Sequence, residues 1–118
     1  PIRTRKNLTV RTGVMASRIV VENHRAAGVE IRSSANGAME VLRAEREVII
    51  TSGATGSPKL LLQSGIGPAD ELKAVGISPV HDLPGVGRNL HDHLDLFVIS
   101  ACSGPYNYDA YAKPHLAL

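Results

Sequence analysis

The chain has 118 residues, enough for one compact domain with a modest core, and its 13 basic and 11 acidic residues leave a formal charge of only +2. The bases are scattered apart from Arg3, Arg5, Lys6 and Arg11, and the aromatic residues are one Phe and three Tyr, so neither a basic stripe nor a stacking platform for nucleic acid is present. A single cysteine, Cys102, rules out an intrachain disulfide and a Cys-based zinc site. It reads as a small apolar residue in a reducing, cytoplasmic setting.

No apolar run approaches the ~20 residues of a membrane-spanning helix, and the start lacks the apolar stretch of a signal peptide. The expectation is a chain without a transmembrane segment, with peripheral membrane association of a longer parent left open. The absence of an initial Met leads us to expect an interior piece or a processed chain.

In chain order, Asn7 to Arg11 alternates as a half-buried strand does, with Leu8 and Val10 on one face. Val14 to Glu22 and Ala27 to Ser33 read as a hairpin joined at the turn-like Glu22-Asn23-His24. Asn36-Gly37 is the strongest tight-turn signal, because both residues tolerate positive φ, and a third strand follows from Met39. We therefore expect an antiparallel meander over residues 14–44. His24 and His81 sit beside turn residues and read as solvated surface side chains.

The run Glu47 to Thr51 differs, its consecutive β-branched residues predicting a strand buried on both faces. It opens into a glycine turn, Ser52 to Ser57, from which a short helix starts with Ser57 as cap and Pro58 as first residue, closing at Gly65. Asp70 to Val75 predicts a second short helix with Leu72 and Val75 inward, stopped by Gly76. Leu94 to Ser100 predicts a last strand, and Gly104 to Leu118 shows no period.

A strand that delivers a glycine turn into a helix start suits a phosphate or ribose, because bare backbone approaches the ligand and N–H groups point outward. The spacing of Gly53 and Gly56 matches neither dinucleotide- nor nucleotide-binding fingerprints. From local physics alone an ordinary strand-to-helix connection is favoured. His91, His93 and Asp95 suggest a rival chemistry, since alternate histidines on an extended segment can converge on a metal of a hydrolase. Against it, Leu96 stands where another ligand would be needed and His115 is the lone later histidine.

The fifteen residues from Gly53 to Gly67, GATGSPKLLLQSGIG, resemble the second signature of the glucose-methanol-choline oxidoreductases. The run LPGVGRNLHDHL, Leu83 to Leu94, is similar to the family's following segment, with His91 where glutamine is more usual. Asn7 to Arg11 resembles the strand that leads into the family's meander. The choline dehydrogenase and alcohol dehydrogenase branch is the most similar.

The resemblance implies an α/β fold (α+β within this piece): residues 1–93 as part of a Rossmann-like FAD-binding domain with the meander as an excursion, and 94–118 as the start of a substrate domain. It implies FAD as cofactor and hydride transfer from an alcohol, choline being a candidate, to the flavin. Ala16 would lie at the adenine, with Val14 and Met15 as the alternatives in a slipped register, Gly53 and Ala54 beside the adenosine, and Asn89, Asp92 and His93 near the flavin. The family's dinucleotide-binding glycine turn and its C-terminal catalytic residues are not in this sequence. No catalytic residue is assigned here, and the isolated piece is expected to be inactive. A structural or interaction module is the non-enzymatic alternative. Apolar surface left uncovered in such a piece would make it self-associate.

Overall fold

The computed structural model describes residues 4–101, 103 and 104. Three antiparallel strands come first: β1 (Val14–Glu22), β2 (Arg25–Ser33) and β3 (Met39–Arg43), in the order β1-β2-β3. Helix α1 (Gly53–Gln63), the two-residue β4 (Ile66–Gly67), helix α2 (Ala69–Ala74) and β5 (His81–Asp82) follow, with β4 and β5 parallel. This mixture of a meander with helices fits the expected fold class.

The meander forms where its alternation places it, and the register aligns Ile19, Val29 and Leu42 in one row across the sheet. That face turns inward at Ile19 and Ile31, both buried. Arg18 pairs with Glu30 directly opposite, at 3.1 Å, so the cross-strand charges are of opposite sign. Bulges interrupt the β1–β2 ladder after Ala16 and after Val20. The tight turn, however, is at Asn23-His24, with φ of 49° and 61°, and β2 starts at Arg25, two residues before the expected Ala27. At the other connection only Gly37 is left-handed, with φ 71°, and Asn36 instead accepts the Ala38 amide on its side-chain oxygen. Both connections turn the chain, but the two-residue hairpin is the first.

Four other expectations fail. Asn7 to Arg11 is not a strand; the Leu8 amide bonds back to the Arg5 carbonyl in a turn, and no strand among the described residues forms a ladder with the segment. Glu47 to Thr51 runs without strand pairing, with Val48 and Ile50 half-buried and Ile49 75 % exposed. A strand buried on both faces needs neighbours on both edges, and the described residues supply none. Leu94 to Ser100 is likewise unpaired, and Leu94 is 99 % exposed. Val75 is 72 % exposed, since α2 ends at Ala74 and only Leu72 points inward. Gly76, with φ 80°, stops that helix as expected.

Helix α1 also starts earlier than the sequence suggests. Ser52 is the N-cap residue and Pro58 lies inside the helix, so most of the expected glycine turn is helical. The reversal is made by Gly53 alone, at φ 81°, and Ser57 is no cap: its hydroxyl accepts the Ser52 amide at 3.0 Å from within the helix. At the other end Gly65, at φ 79°, closes α1, and its carbonyl accepts the amides of Val80 and His81, which ties the helix end to β5. Among the described residues the core reduces to Ile19, Ile31, Leu60 and Leu72, with Ser64 as the buried polar residue. Cys102 and the stretch 105–118 lie outside the described residues.

Candidate functional site

Helix α1 organises the candidate site because two cavities flank it and share its Lys59–Gln63 edge. Lys59 and Gln63 are four residues apart, so they lie one above the other on the same helix face. On the meander side a cavity of about 380 Å³ is lined by Ala16, Ser17 and Arg32 from the strands and by Ser52 and Gly56 from the helix start. On the other side a cavity of about 620 Å³ is lined by Ala54, Thr55 and Pro58 from the helix and by Arg88, Asn89 and His91 from the loop. A third, shallower depression beyond His91 is lined by His91, Asp92 and His93.

The candidate residues are thus distributed along neighbouring depressions. Ala16 lines the first; Ala54 and Asn89 line the second together; Asp92 and His93 line the third, which shares His91 with the second. Gly53 lines none of them, and an added Cβ there would meet nothing within 4 Å. Its requirement for glycine is conformational, a φ of 81°, not a close internal approach. Asn89 also has positive φ, 54°, which sets the loop at the cavity mouth.

The chemistry of the two larger cavities suits an anionic ligand with flat apolar parts. Neither is lined by a carboxylate, while Lys59 and Arg32 bring positive charge; Arg88, which also lines the larger cavity, is paired with Glu71. No side chain caps the start of α1 and its first turn holds no acidic residue, so its positive end faces the cavities unneutralised. Pro58 has no N–H, which leaves the Ala54 carbonyl without its usual helical donor, a further polar group at the cavity wall. Small side chains at Ala16 and Ala54 leave the backbone open to such a ligand. Sequence reasoning passed over Lys59, Arg32 and Gln63, because within a helix or strand pattern they look like solvated surface residues.

At the third depression Asp92 accepts the backbone amide of His93 at 2.7 Å, and His93 Nδ1 lies 3.2 Å from the same oxygen. The backbone hydrogen bond chiefly, and the side-chain contact second, hold the Asp92 carboxyl below its ordinary pKa. All three side chains there are solvent-exposed. Among the described residues no group of three or more His, Cys, Asp or Glu side chains converges as a metal site needs. The hydrolase reading of His91, His93 and Asp95 therefore has no support in the geometry. Nor, among the described residues, is any helix long and apolar enough to cross a membrane.

Residues 1–95 match the GMC oxidoreductase family model. The chain is 46 % identical over 101 residues to an oxygen-dependent choline dehydrogenase of Photobacterium profundum, covering 86 % of this chain and 17 % of that protein. It is 44 % identical over 114 residues to the mitochondrial choline dehydrogenase of Homo sapiens, covering 97 % of this chain and 19 % of that one. The chain thus spans under a fifth of the length of these relatives. Among solved structures, an FAD-dependent oxidoreductase from Chaetomium thermophilum superimposes with a TM-score of 0.73 at 35 % identity, over 77 % of this chain and 16 % of that one. The chain belongs to the GMC oxidoreductases, and FAD is the cofactor that its family and structural neighbours indicate.

Proposed function

We propose that this chain is part of the FAD-binding region of an oxidoreductase that oxidises the CH–OH group of an alcohol, with choline as the candidate substrate. The observation that carries this reading is the pair of carboxylate-free cavities joined along Lys59 and Gln63, which bring Ala16, Ala54 and Asn89 around one helix. Ala16, Gly53 and Ala54 would serve the adenosine end, and Asn89, Asp92 and His93 the part nearer the flavin. When bound, FAD supplies the hydride acceptor. The residues described here bind and orient it; none is assigned to proton removal from the alcohol, so the segment by itself is inactive.

Choline enters through the relatives named above, one bacterial and one mitochondrial. Residues 1–93 would belong to the FAD-binding domain and 94–118 to the start of the substrate domain, a division supported by the family match ending at residue 95. A reducing, cytoplasmic compartment completes the reading, supported by the single cysteine.

The test is an absorbance spectrum of the full-length protein carrying this segment, titrated with choline and other alcohols without oxygen. Oxidised-flavin bands that bleach on addition of an alcohol are the expected result, and readmitting air would show whether oxygen is the acceptor. A folded protein with no flavin absorbance would overturn the reading.

A further inference from the structure

Several of the basic side chains on the described residues are matched. Arg11, Arg18, Arg43, Lys73 and Arg88 each pair with a carboxylate, and Arg25 donates to the carbonyls of Glu45 and Arg46. Arg5, Lys6 and Arg46 lack such a partner among the described residues, and so do two others, Arg32 and Lys59, whose side chains have neither a hydrogen bond nor an ion pair there. Yet these two line one cavity, the one that Ala16 opens on the meander side of α1. They reach it from different elements, Arg32 from β2 and Lys59 from α1, so sequence proximity does not explain the juxtaposition.

The nearby carboxylates are already engaged. Glu30 takes Arg18 and Glu40 takes Arg11, leaving no acidic side chain on this cavity's wall. Two like charges beside one cavity repel each other, and an anion placed between them relieves that repulsion. The remaining lining supplies hydroxyls from Ser17 and Ser52, the amide of Gln63 and the uncapped start of an 11-residue helix. Ala16 contributes a small side chain, and Met15, cross-strand neighbour of Arg32, an apolar one. A polar, cationic wall beside small and apolar residues suits a phosphorylated nucleoside: the guanidinium serves a phosphate oxygen or a base face, and the ammonium serves as a point charge.

We infer that Arg32 and Lys59 are cofactor-binding residues that hold a phosphorylated adenosine, the adenylate half of FAD, in the cavity opened by Ala16. This rests on the reading of the chain as an FAD-binding segment. Gln63 and Lys59 then form the ridge over which the ligand passes toward Asn89, since both side chains also line the neighbouring cavity.

The test uses the flavin-free full-length protein, with FAD binding followed by flavin fluorescence and AMP as competitor, at low and at high salt. Arg32→Gln and Lys59→Gln should each weaken FAD and AMP about three- to tenfold at low salt, the loss of one exposed charge-assisted contact, and less at high salt. Arg32→Lys should restore part of the FAD affinity, and Lys73→Gln, which removes a charge already paired with Asp70, should change nothing. Unchanged FAD affinity in both Gln variants, with wild type binding FAD normally, overturns the inference and leaves the FAD reading standing. Weaker FAD with unaltered AMP also overturns it, because the charges would then serve another part of the cofactor. Failure of the wild-type protein to bind FAD would overturn the underlying reading itself.

Discussion

The Ser64 hydroxyl joins the two halves of the structure: it accepts the Ile19 amide of β1 at 2.7 Å and donates to the Leu60 carbonyl of α1 at 2.5 Å. Ile19 stands opposite Val29 and is on the edge strand, so its N–H points away from the sheet and would otherwise lack a partner. One side chain therefore closes the end of α1 against the meander and covers part of an exposed edge. Ser64→Ala leaves a buried donor unpaired and should cost about 1–3 kcal/mol. Urea unfolding followed by circular dichroism would show the loss; a midpoint equal to wild type would mean that water replaces the hydroxyl.

Gly65 and Gly53 both have φ near 80°, but their surroundings differ. A Cβ at Gly65 would lie 2.6 Å from the Ser78 carbonyl oxygen and 2.9 Å from Val80 Cγ2, whereas at Gly53 it would meet nothing within 4 Å. Gly53→Ala should thus cost only the conformational strain of a left-handed residue, about 1–2 kcal/mol. Gly65→Ala adds a backbone clash and should cost clearly more. Comparing the two variants by thermal unfolding tests this, and equal losses would show that the segment 78–80 moves aside.

The contrast between these glycines shows what the sequence could and could not convey. The meander was legible because alternation at Ile19, Val29 and Ile31 is a local pattern, and each strand finds its partner within a few residues. Helix α2 stopped where Gly76 stands for the same reason. The unpaired Glu47 to Thr51 was misread because β-branched composition reports a residue's suitability for a strand, not the presence of neighbours to pair with. The early start of α1 escaped notice because Pro58 marks a first turn in most helices, and only the backbone at Gly53 reveals the earlier reversal. In the candidate site, the small residues Ala16 and Ala54 were singled out through a family resemblance. Arg32 and Lys59 could not be, because their shared cavity depends on how β2 and α1 pack, a tertiary fact.

Arg11 donates two hydrogen bonds to Glu40, at 2.8 and 2.7 Å, and fastens the segment before β1 to β3. These hydrogen bonds lower the Glu40 pKa, and the one to His93 lowers that of Asp92. For a carboxyl depressed on folding, the stabilisation is present above the unfolded pKa and is lost as pH falls through the folded one. The Arg11 pKa is raised by the same contact, so its contribution is lost only under strongly alkaline conditions. Stability should consequently fall on the acid side, below the ordinary carboxylate range. Glu40→Gln should flatten part of that fall, and a side-chain carbon NMR titration should place Glu40 below an exposed reference glutamate; an ordinary titration midpoint would show that the pair does not persist in solution.

The isolated 118-residue chain should self-associate. Leu96, Phe97, Val98 and Ile99 are all exposed, Phe97 at 83 %, in a segment that pairs with no strand among the described residues. The outer edge of β3 is also unpaired there, with Met39 and Val41 exposed beside it. Consecutive apolar residues on an unpaired extended segment, and an unprotected strand edge, are the features through which chains add to one another. Light scattering across a concentration series should give a mass of a dimer or more, and charge placed on the apolar run, as in Phe97→Asp with Ile99→Lys, should lower it. If the variant stays associated, the contact lies elsewhere, with the β3 edge as the next surface to alter. A clean monomer of the wild-type chain at high concentration would show that these residues are covered within the chain itself.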